Sequence, residues 1–374
     1  MVSCGEPSGD AYAGALTREL HAIDPRLHIS GLGGPCLAAA GGELLADYRG
    51  LSVTGLTEAI GKLPQSFLTL RRLAHSAQAT RPDVFVAIDF PELNFRLARR
   101  IKRLGIPVVY YIGPQIWAWR PGRLKTMREI ADLVLVIFPF EESLYQQGGV
   151  PVRFVGHPLI DLMTRADKAT FLGHHGLSAH LPTVAILPGS RSNEVQRLLP
   201  DLVGAAVRIS ARVAGVQFVV ARAPGLDGGL LEGVSALPAG VVAIVEGDAD
   251  AVLSAADVAL TASGTATVQT ALHDTPMVIV YRVSPLTYHL VRRLVTVENI
   301  GMVNLIAQEQ IVPELLQDAC TPDSIADEAV SMLTDPARRA RIREGLALVR
   351  RRLGGPGASR RAAEAILQVA SGRH

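Results

Sequence analysis

The 374-residue chain has little cysteine, few aromatics and almost no excess charge of either sign. Its three cysteines, Cys4, Cys36 and Cys320, are odd in number, far apart and without metal-ligand spacing. That pattern excludes a disulfide framework and suits reduced thiols in the cytoplasm. Lys and Arg number 37 against 35 Asp and Glu, so a net charge of +2 supplies no field for nucleic acid, and no nucleic-acid partner is expected. No apolar run approaches the length of a membrane span, and the N-terminus lacks the basic start and apolar stretch of a signal peptide. The expectation is a protein that does not span a membrane, either free in the cytoplasm or resting on the membrane's inner face.

Apolar residues are plentiful, at 48%, in a chain longer than one hydrophobic core usually supports. Short apolar runs, "RLHISGLGG", "DVFVAIDF", "IPVVYYIG", "DLVLVIFPF" and "VRFVGHP", alternate with stretches of helical period. After a looser segment the rhythm restarts with "TVAILPGS", "VQFVVARAP", "VVAIVEGD", "DVALTAS" and "PMVIVYR". Such alternation builds parallel sheets. The chain therefore reads as α/β, with two doubly wound, Rossmann-like domains facing a cleft, 1–158 and 159–374, joined near residues 158–180. The Arg-rich helical tail from Ala337 reads as a solvated face, its arginines interspersed with Leu, Ile and Ala. His157, in "GHP" at the start of the linker, reads as an interdomain hydrogen-bond residue.

In open parallel sheets ligands gather beyond the carboxyl ends of strands, so the loops there carry the function. "GLGGPC", Gly31 to Cys36, tempts a dinucleotide reading, but Cys36 stands where a third glycine is needed and Pro35 has no amide hydrogen. It reads as a plain strand-to-helix turn. "DVALTASGTATVQTAL" is better suited to phosphate: Ser263, Gly264, Thr265, Ala266 and Thr267 combine glycine, hydroxyls and the free amides of a helix start. The alternative for Thr265 is a helix N-cap. Ser190 and Arg191 precede another helix; Arg191 is suited equally to gripping a phosphate or to an ion pair with Glu194. "DAD" at Asp248 to Asp250 reads as a capped helix start, and neither metal nor cofactor is expected. The opening loop, "SCGEPSGD", carries Glu6, Ser8 and Asp10, carboxylates that would repel phosphate but accept protons from sugar hydroxyls. Asp10 is also placed to cap the following helix.

Seven segments in order, "GEPSGD" (5–10), "IDFPELN" (88–94), "GPQIWAWRPGR" (113–123), "LPGSRSNEV" (187–195), "SGTATVQTAL" (263–272), "VNLI" (303–306) and "VPELLQ" (312–317), resemble the lipid-A-disaccharide synthases. These are glycosyltransferases of family 19 with the glycosyltransferase-B fold, and the resemblance runs almost end to end. It implies condensation of UDP-2,3-diacylglucosamine with 2,3-diacylglucosamine 1-phosphate (lipid X), releasing UDP, with Asp89 as base. Beside Asp89, Glu6 and Asn304 are the further catalytic candidates: Glu6, with Ser8 and Asp10, would position the acceptor sugar or share its proton, and the resemblance assigns the loop of Asn304 to the active site, Trp117 to the acceptor side of the cleft, and the chain to a homodimer with exchanged C-terminal segments. The last helices, 337–374, would otherwise pack back on the first domain.

Two departures stand out. Only "MVSC" precedes Gly5, so the first strand is short or the chain starts downstream of its natural beginning, and a weakened sheet edge is expected. Gln269 stands where the resemblance places a glutamate that binds the ribose, which puts donor affinity in question. Inverting transfer needs a base on the attacking hydroxyl and stabilisation of the departing diphosphate. Asp89, partly buried at a strand end, is suited to the first task or to capping the helix after Pro91. Ser263 to Thr267, with Ser190 and Arg191, are suited to the second. Finally, "LTEAIGKLPQSFLTLRRLAHSAQ" offers Leu63, Phe67, Leu68, Leu70 and Leu73 beside Lys62, Arg71 and Arg72, either for the inner membrane leaflet or for packing on its own sheet.

Overall fold

The structure, a computed structural model, describes residues 1–50, 56–114, 122–237, 240–283 and 301–372, with side chains from Pro64 onward in the helix that opens at 56. Lys62, Leu63, Trp117 and Trp119 lie outside the described residues or side chains. The chain divides into two compact units, 1–162 with 353–374, and 163–352.

The first unit is built on seven parallel strands in the order β3-β2-β1-β4-β5-β6-β7. They are β1 (Val2–Ser3), β2 (Ser30–Gly33), β3 (Glu43–Asp47), β4 (Phe85–Ile88), β5 (Val108–Tyr111), β6 (Leu133–Val136) and β7 (Val152–Phe154). The central runs FVAI and VVYY are buried throughout, as strands covered on both faces must be. Four helices open with proline in their first turn directly after a strand: α1 (Pro7–Ile23), α2 (Pro35–Ala39), α4 (Pro91–Lys102) and, beyond α5 (Gly122–Ile130), α6 (Pro139–Gln147). Proline fixes φ for the first helical position and lacks an amide hydrogen that would find no partner there. The short β1 is central, with Val2 opposite both Gly31 and Val86, so the expected weak edge is corrected to a short strand paired on both sides.

Helix α3 (Leu56–Thr80) divides the residues grouped as one apolar face. Leu70 and Leu73 are buried in the core with Phe85 and Leu97, whereas Phe67 and Leu68 are 51% and 64% exposed. Two short helices, α7 (Leu159–Leu162) and α8 (Lys168–His174), follow.

The second unit has six parallel strands in the order β10-β9-β8-β11-β12-β13. These are β8 (Thr183–Leu187), β9 (Gln217–Arg222), β10 (Val242–Glu246), β11 (Val258–Ala262), β12 (Met277–Tyr281) and β13 (Glu314–Leu316). Helix α9 (Ser192–Arg212) buries Val195, Leu198, Leu202, Ala206 and Ile209, a stripe at three- and four-residue spacing. Further helices among the described residues of this unit are α10 (Ala249–Ala255), α11 (Thr265–Leu272), α12 (Met302–Ala307), α13 (Pro322–Thr334) and α14 (Pro336–Arg352). Asp248 caps α10 by accepting the Ala251 amide hydrogen at 3.0 Å, in keeping with the capped start read from "DAD".

The chain returns to the first unit at Leu353, where α15 (Ala358–Ala370) packs on α1. The Asp161 carboxylate accepts the Gly357 and Ser359 amides at 2.6 and 2.9 Å, capping α15. His157 also belongs to this unit rather than bridging two domains. Its amide donates to Leu353 O, its ring lies against Tyr12 and Phe138, and its Nδ1 accepts from the Leu159 amide. Burial pushes its pKa down to about 3, so the ring is neutral.

Candidate active site

Strand order reverses between β1 and β4 in the first sheet and between β8 and β11 in the second. A crevice opens at such a point because the flanking helices leave on opposite faces. The loops carrying Glu6 and Asp89 follow β1 and β4, and those carrying Arg191 and Ser263 follow β8 and β11. Each pair is thus set side by side by strand pairing.

In the first unit the two loops interlock. A Cβ on Gly5 would come within 2.2 Å of the Phe90 ring, so only glycine lets the first loop lie against the second. Asp89 and Phe90 both hold left-handed backbone, φ 44° and 50°, which non-glycine residues adopt only when their surroundings impose it. Here the Asp89 carbonyl accepts hydrogen bonds from Asn94 Nδ2 at 2.7 Å and Tyr110 OH at 2.8 Å. Asn94 Oδ1 in turn accepts from Ser3 Oγ at 2.6 Å, tying the ends of β1 and β4 to one buried amide. Phe90, not Asp89, occupies the N-cap position of α4. Burial, with the Asp89 charge as a secondary cause, pushes the pKa values of Tyr12 and Tyr110 up, so Asp89 stands among neutral phenols.

Glu6 and Ser8 sit half-buried at the start of α1. Asp10 does not. It is 1% exposed, and its carboxylate accepts the amides of Gly34, Cys36 and Leu37 at 2.7, 2.9 and 3.1 Å. The expectation of a sugar contact is corrected: Asp10 caps the turn before α2 and occupies the amide donors that made "GLGGPC" resemble a phosphate loop.

In the second unit Gly264 takes φ 144°, a conformation open to glycine, and turns the chain from β11 into α11. The amides of Thr265 and Ala266 in the first turn have no partner among the described residues. Ser263 is half-buried and Thr265 exposed. Thr267 is enclosed, and its hydroxyl donates to Gly264 O at 2.8 Å, so it braces the turn instead of adding a donor for phosphate. Ser190 and Arg191 are exposed; Arg191 lies 3.3 Å from Glu194, a surface pair that a phosphate can displace at little cost.

Asn304, expected in an active-site loop, lies in α12 and is fully buried. Its Nδ2 donates to Val312 O and Glu314 Oε1 at 2.9 and 2.7 Å, while Oδ1 accepts the Ile311 and Val312 amides at 2.9 and 3.1 Å. Two donors and two acceptor positions are an amide's full capacity, so Asn304 is corrected to a residue that holds the turn before β13.

Gln269 donates through Nε2 to Asp250 Oδ1 at 2.7 Å, and the same oxygen faces His273 Nε2 at 2.8 Å. Burial by itself raises the Asp250 pKa, but the hydrogen bonds from His273 and Gln269 outweigh it and the net shift is downward. Nothing in the sequence assigns Asn94, Asp250 or His273 a site role; Asn94 lies within "IDFPELN" and Asp250 within "DAD", which reads only as a helix start, while His273 lies in no motif. Among the described residues no cluster of three or more His, Cys, Asp or Glu is placed to hold a metal ion, and no helix is long and apolar enough to cross a membrane.

Two parallel sheets with paired loops at their switch points define the two-domain α/β class that includes glycosyltransferases and UDP-sugar epimerases. The glycosyltransferase of kitacinnamycin superposes with a TM-score of 0.64 at 20% identity, covering 99% of this chain and 98% of that one. The UDP-GlcNAc 2-epimerase from Neisseria meningitidis, bound to UDP-GlcNAc, gives 0.69 at 12% identity, covering 98% and 99%. Sequence then separates these neighbours. The family model for lipid-A-disaccharide synthetase matches residues 1–369, and the lipid-A-disaccharide synthase of Myxococcus xanthus (strain DK1622) is 44% identical over 374 residues, covering 99% of this chain and 97% of that protein. The chain belongs to the lipid-A-disaccharide synthetase family and is a glycosyltransferase.

Proposed function

We propose that the chain transfers the sugar of UDP-2,3-diacylglucosamine to 2,3-diacylglucosamine 1-phosphate, releasing UDP and forming the tetra-acyl disaccharide 1-phosphate. Formation of the lipid A disaccharide is the activity of its family. The acceptor oxygen attacks the anomeric carbon with inversion, the carbon–oxygen bond to UDP breaks, and the hydroxyl proton passes to Asp89. The observation that carries this reading is the left-handed Asp89, held by Asn94 and Tyr110 at the switch point of the first sheet. Glu6 and Ser8, in the loop beside it, orient the acceptor sugar, with Trp117 a further acceptor-side residue. UDP is taken by Ser263, Gly264, Thr265 and Ala266 at the start of α11, where free amides and the helix dipole favour phosphate, and by Ser190 and Arg191 on the adjacent loop. Gln269 accepts a ribose hydroxyl.

Both substrates carry acyl chains, and the exposed Phe67 and Leu68 with Arg71 offer an apolar and basic patch for the inner leaflet. Incubation with the two diacyl substrates, followed by mass analysis of the lipids, tests the reaction. The tetra-acyl disaccharide 1-phosphate is expected; turnover of UDP-N-acetylglucosamine without lipid, and no disaccharide, would replace this reading with an epimerase.

A further inference from the structure

We propose that Asp250 is a positioning residue for the nucleotide, orienting the Gln269 amide so that its carbonyl oxygen is the acceptor presented to the ligand. On this view glutamine, rather than glutamate, is the residue that fits position 269 of this chain. The inference rests on the reading that UDP binds at the start of α11.

The geometry is closed on one side of the amide and open on the other. Gln269 lies one helical turn after Thr265, on the same face of α11. The side-chain atom 2.7 Å from Asp250 Oδ1 has to be nitrogen, because the flipped amide would set two acceptors against each other. Asp250 is itself fixed, since Oδ1 also faces His273 Nε2 and Oδ2 accepts the Thr164 amide at 3.0 Å. His273 is held in turn by Ser254 Oγ, 3.2 Å from its Nδ1. Gln269 Oε1 has no partner among the described residues. A side chain pinned by its donor end and free at its acceptor end is set to receive a hydroxyl proton.

A glutamate at 269 would bring a second carboxylate to the Asp250 oxygen. The pair would have to separate or share a proton, and either displaces the acceptor. The matched alternative is a glutamate at 269 with an asparagine at 250. Such an asparagine can donate to the glutamate and to a His273 whose proton has moved to Nδ1, while its oxygen still accepts the Thr164 amide.

Titration calorimetry of the full chain with UDP, together with donor KM and kcat, tests this. Gln269→Glu is expected to weaken UDP about tenfold, the scale of one lost hydrogen bond. The double variant Gln269→Glu with Asp250→Asn is expected to recover most of that loss. Asp250→Ala is expected to raise donor KM about tenfold with kcat nearly unchanged; if that variant does not fold, the single and double glutamate variants carry the test alone. Should Gln269→Glu bind UDP as well as the parent chain, or the double variant fail to recover, the positioning role is overturned. Gln269→Ala separates the two layers of the argument: unchanged UDP affinity in that variant refutes the placement of UDP at α11 itself.

Discussion

At Asp89 the backbone conformation and the proposed chemistry depend on the same contacts. Two consecutive left-handed residues are unfavourable by about 1–3 kcal/mol each. Asn94, Tyr110 and the face of Gly5 are what hold them. Asp89→Ala should therefore lower kcat by about 10² to 10⁴, the range for losing a general base. UDP affinity should not change, because the loops proposed to hold the nucleotide belong to the second unit; a weakened UDP titration would contradict that proposal. Asn94→Ala removes the acceptor of the Ser3 hydroxyl and one of the two donors to the Asp89 carbonyl. It should cost about 1–3 kcal/mol in denaturant melts and lower kcat as well, through a base held less firmly. His157 gives a pH signature of stability. Its ring stays neutral in the folded chain down to about pH 3, while the unfolded chain takes up a proton below about 6.5. The stabilising contribution is complete above 6.5 and is lost as pH falls toward 3, by about 2 kcal/mol between pH 7 and pH 5. Urea melts at the two pH values should show that loss shrinking in His157→Gln, and an equal loss in both proteins would rule the residue out as its source.

Elements differ in how plainly the sequence declares them. Strands β4, β5, β6, β8 and β11 are buried along nearly their whole length, and their apolar runs, with threonine as the one polar residue in β8 and in β11, mark them. The edge strands β3 and β13, "ELLAD" and "ELL", are only partly covered, so they lack such runs and went unread. Helix α3 was legible as amphipathic, but periodicity does not tell which apolar residues meet the sheet. Packing does: Leu70, Leu73 and Ala77 face the core, and Phe67 and Leu68 face solvent. The two groups should separate on mutation. Phe67→Ser with Leu68→Ser should reduce binding to anionic vesicles in a flotation assay without shifting the melting temperature. Leu70→Ser should destabilise by about 2–5 kcal/mol, the range for opening a cavity in a core. Unchanged vesicle binding in the first variant would remove the membrane role of this patch.

Across the whole molecule, chain order and compact units do not coincide. The sequence reads as a second domain running to the C-terminus, with its last helices, 337–374, either packing back on the first domain or exchanged in a dimer; residues from Leu353 onward belong to the first unit, whereas α14 stays with the second. The local signal was present in "LGGPG", where Gly354, at φ 88°, follows the end of α14 and Gly357, at φ 89°, is the N-cap of α15, but a glycine-proline cluster says only that one helix stops and another starts, not where the second one packs. Burial shows the destination. Ala362, Ala363, Ile366 and Val369 of α15 are covered in the first unit, and Asp161 caps the helix. Ile366 and Val369 alone are worth about 1.5–3 kcal/mol each when removed from water. With the alanines and the lost cap, the sum approaches the roughly 5–15 kcal/mol that holds a whole domain folded. A chain ending at Arg352 should therefore keep its second unit and lose its first. Hydrogen exchange should show protection retained in β8, β9 and β11 and lost in β1, β4 and β5, with the full chain protected in both sets. Equal protection of β4 in the truncated and full chains would mean that the first sheet stands without α15, and the two-segment first unit would then be a matter of proximity rather than of folding.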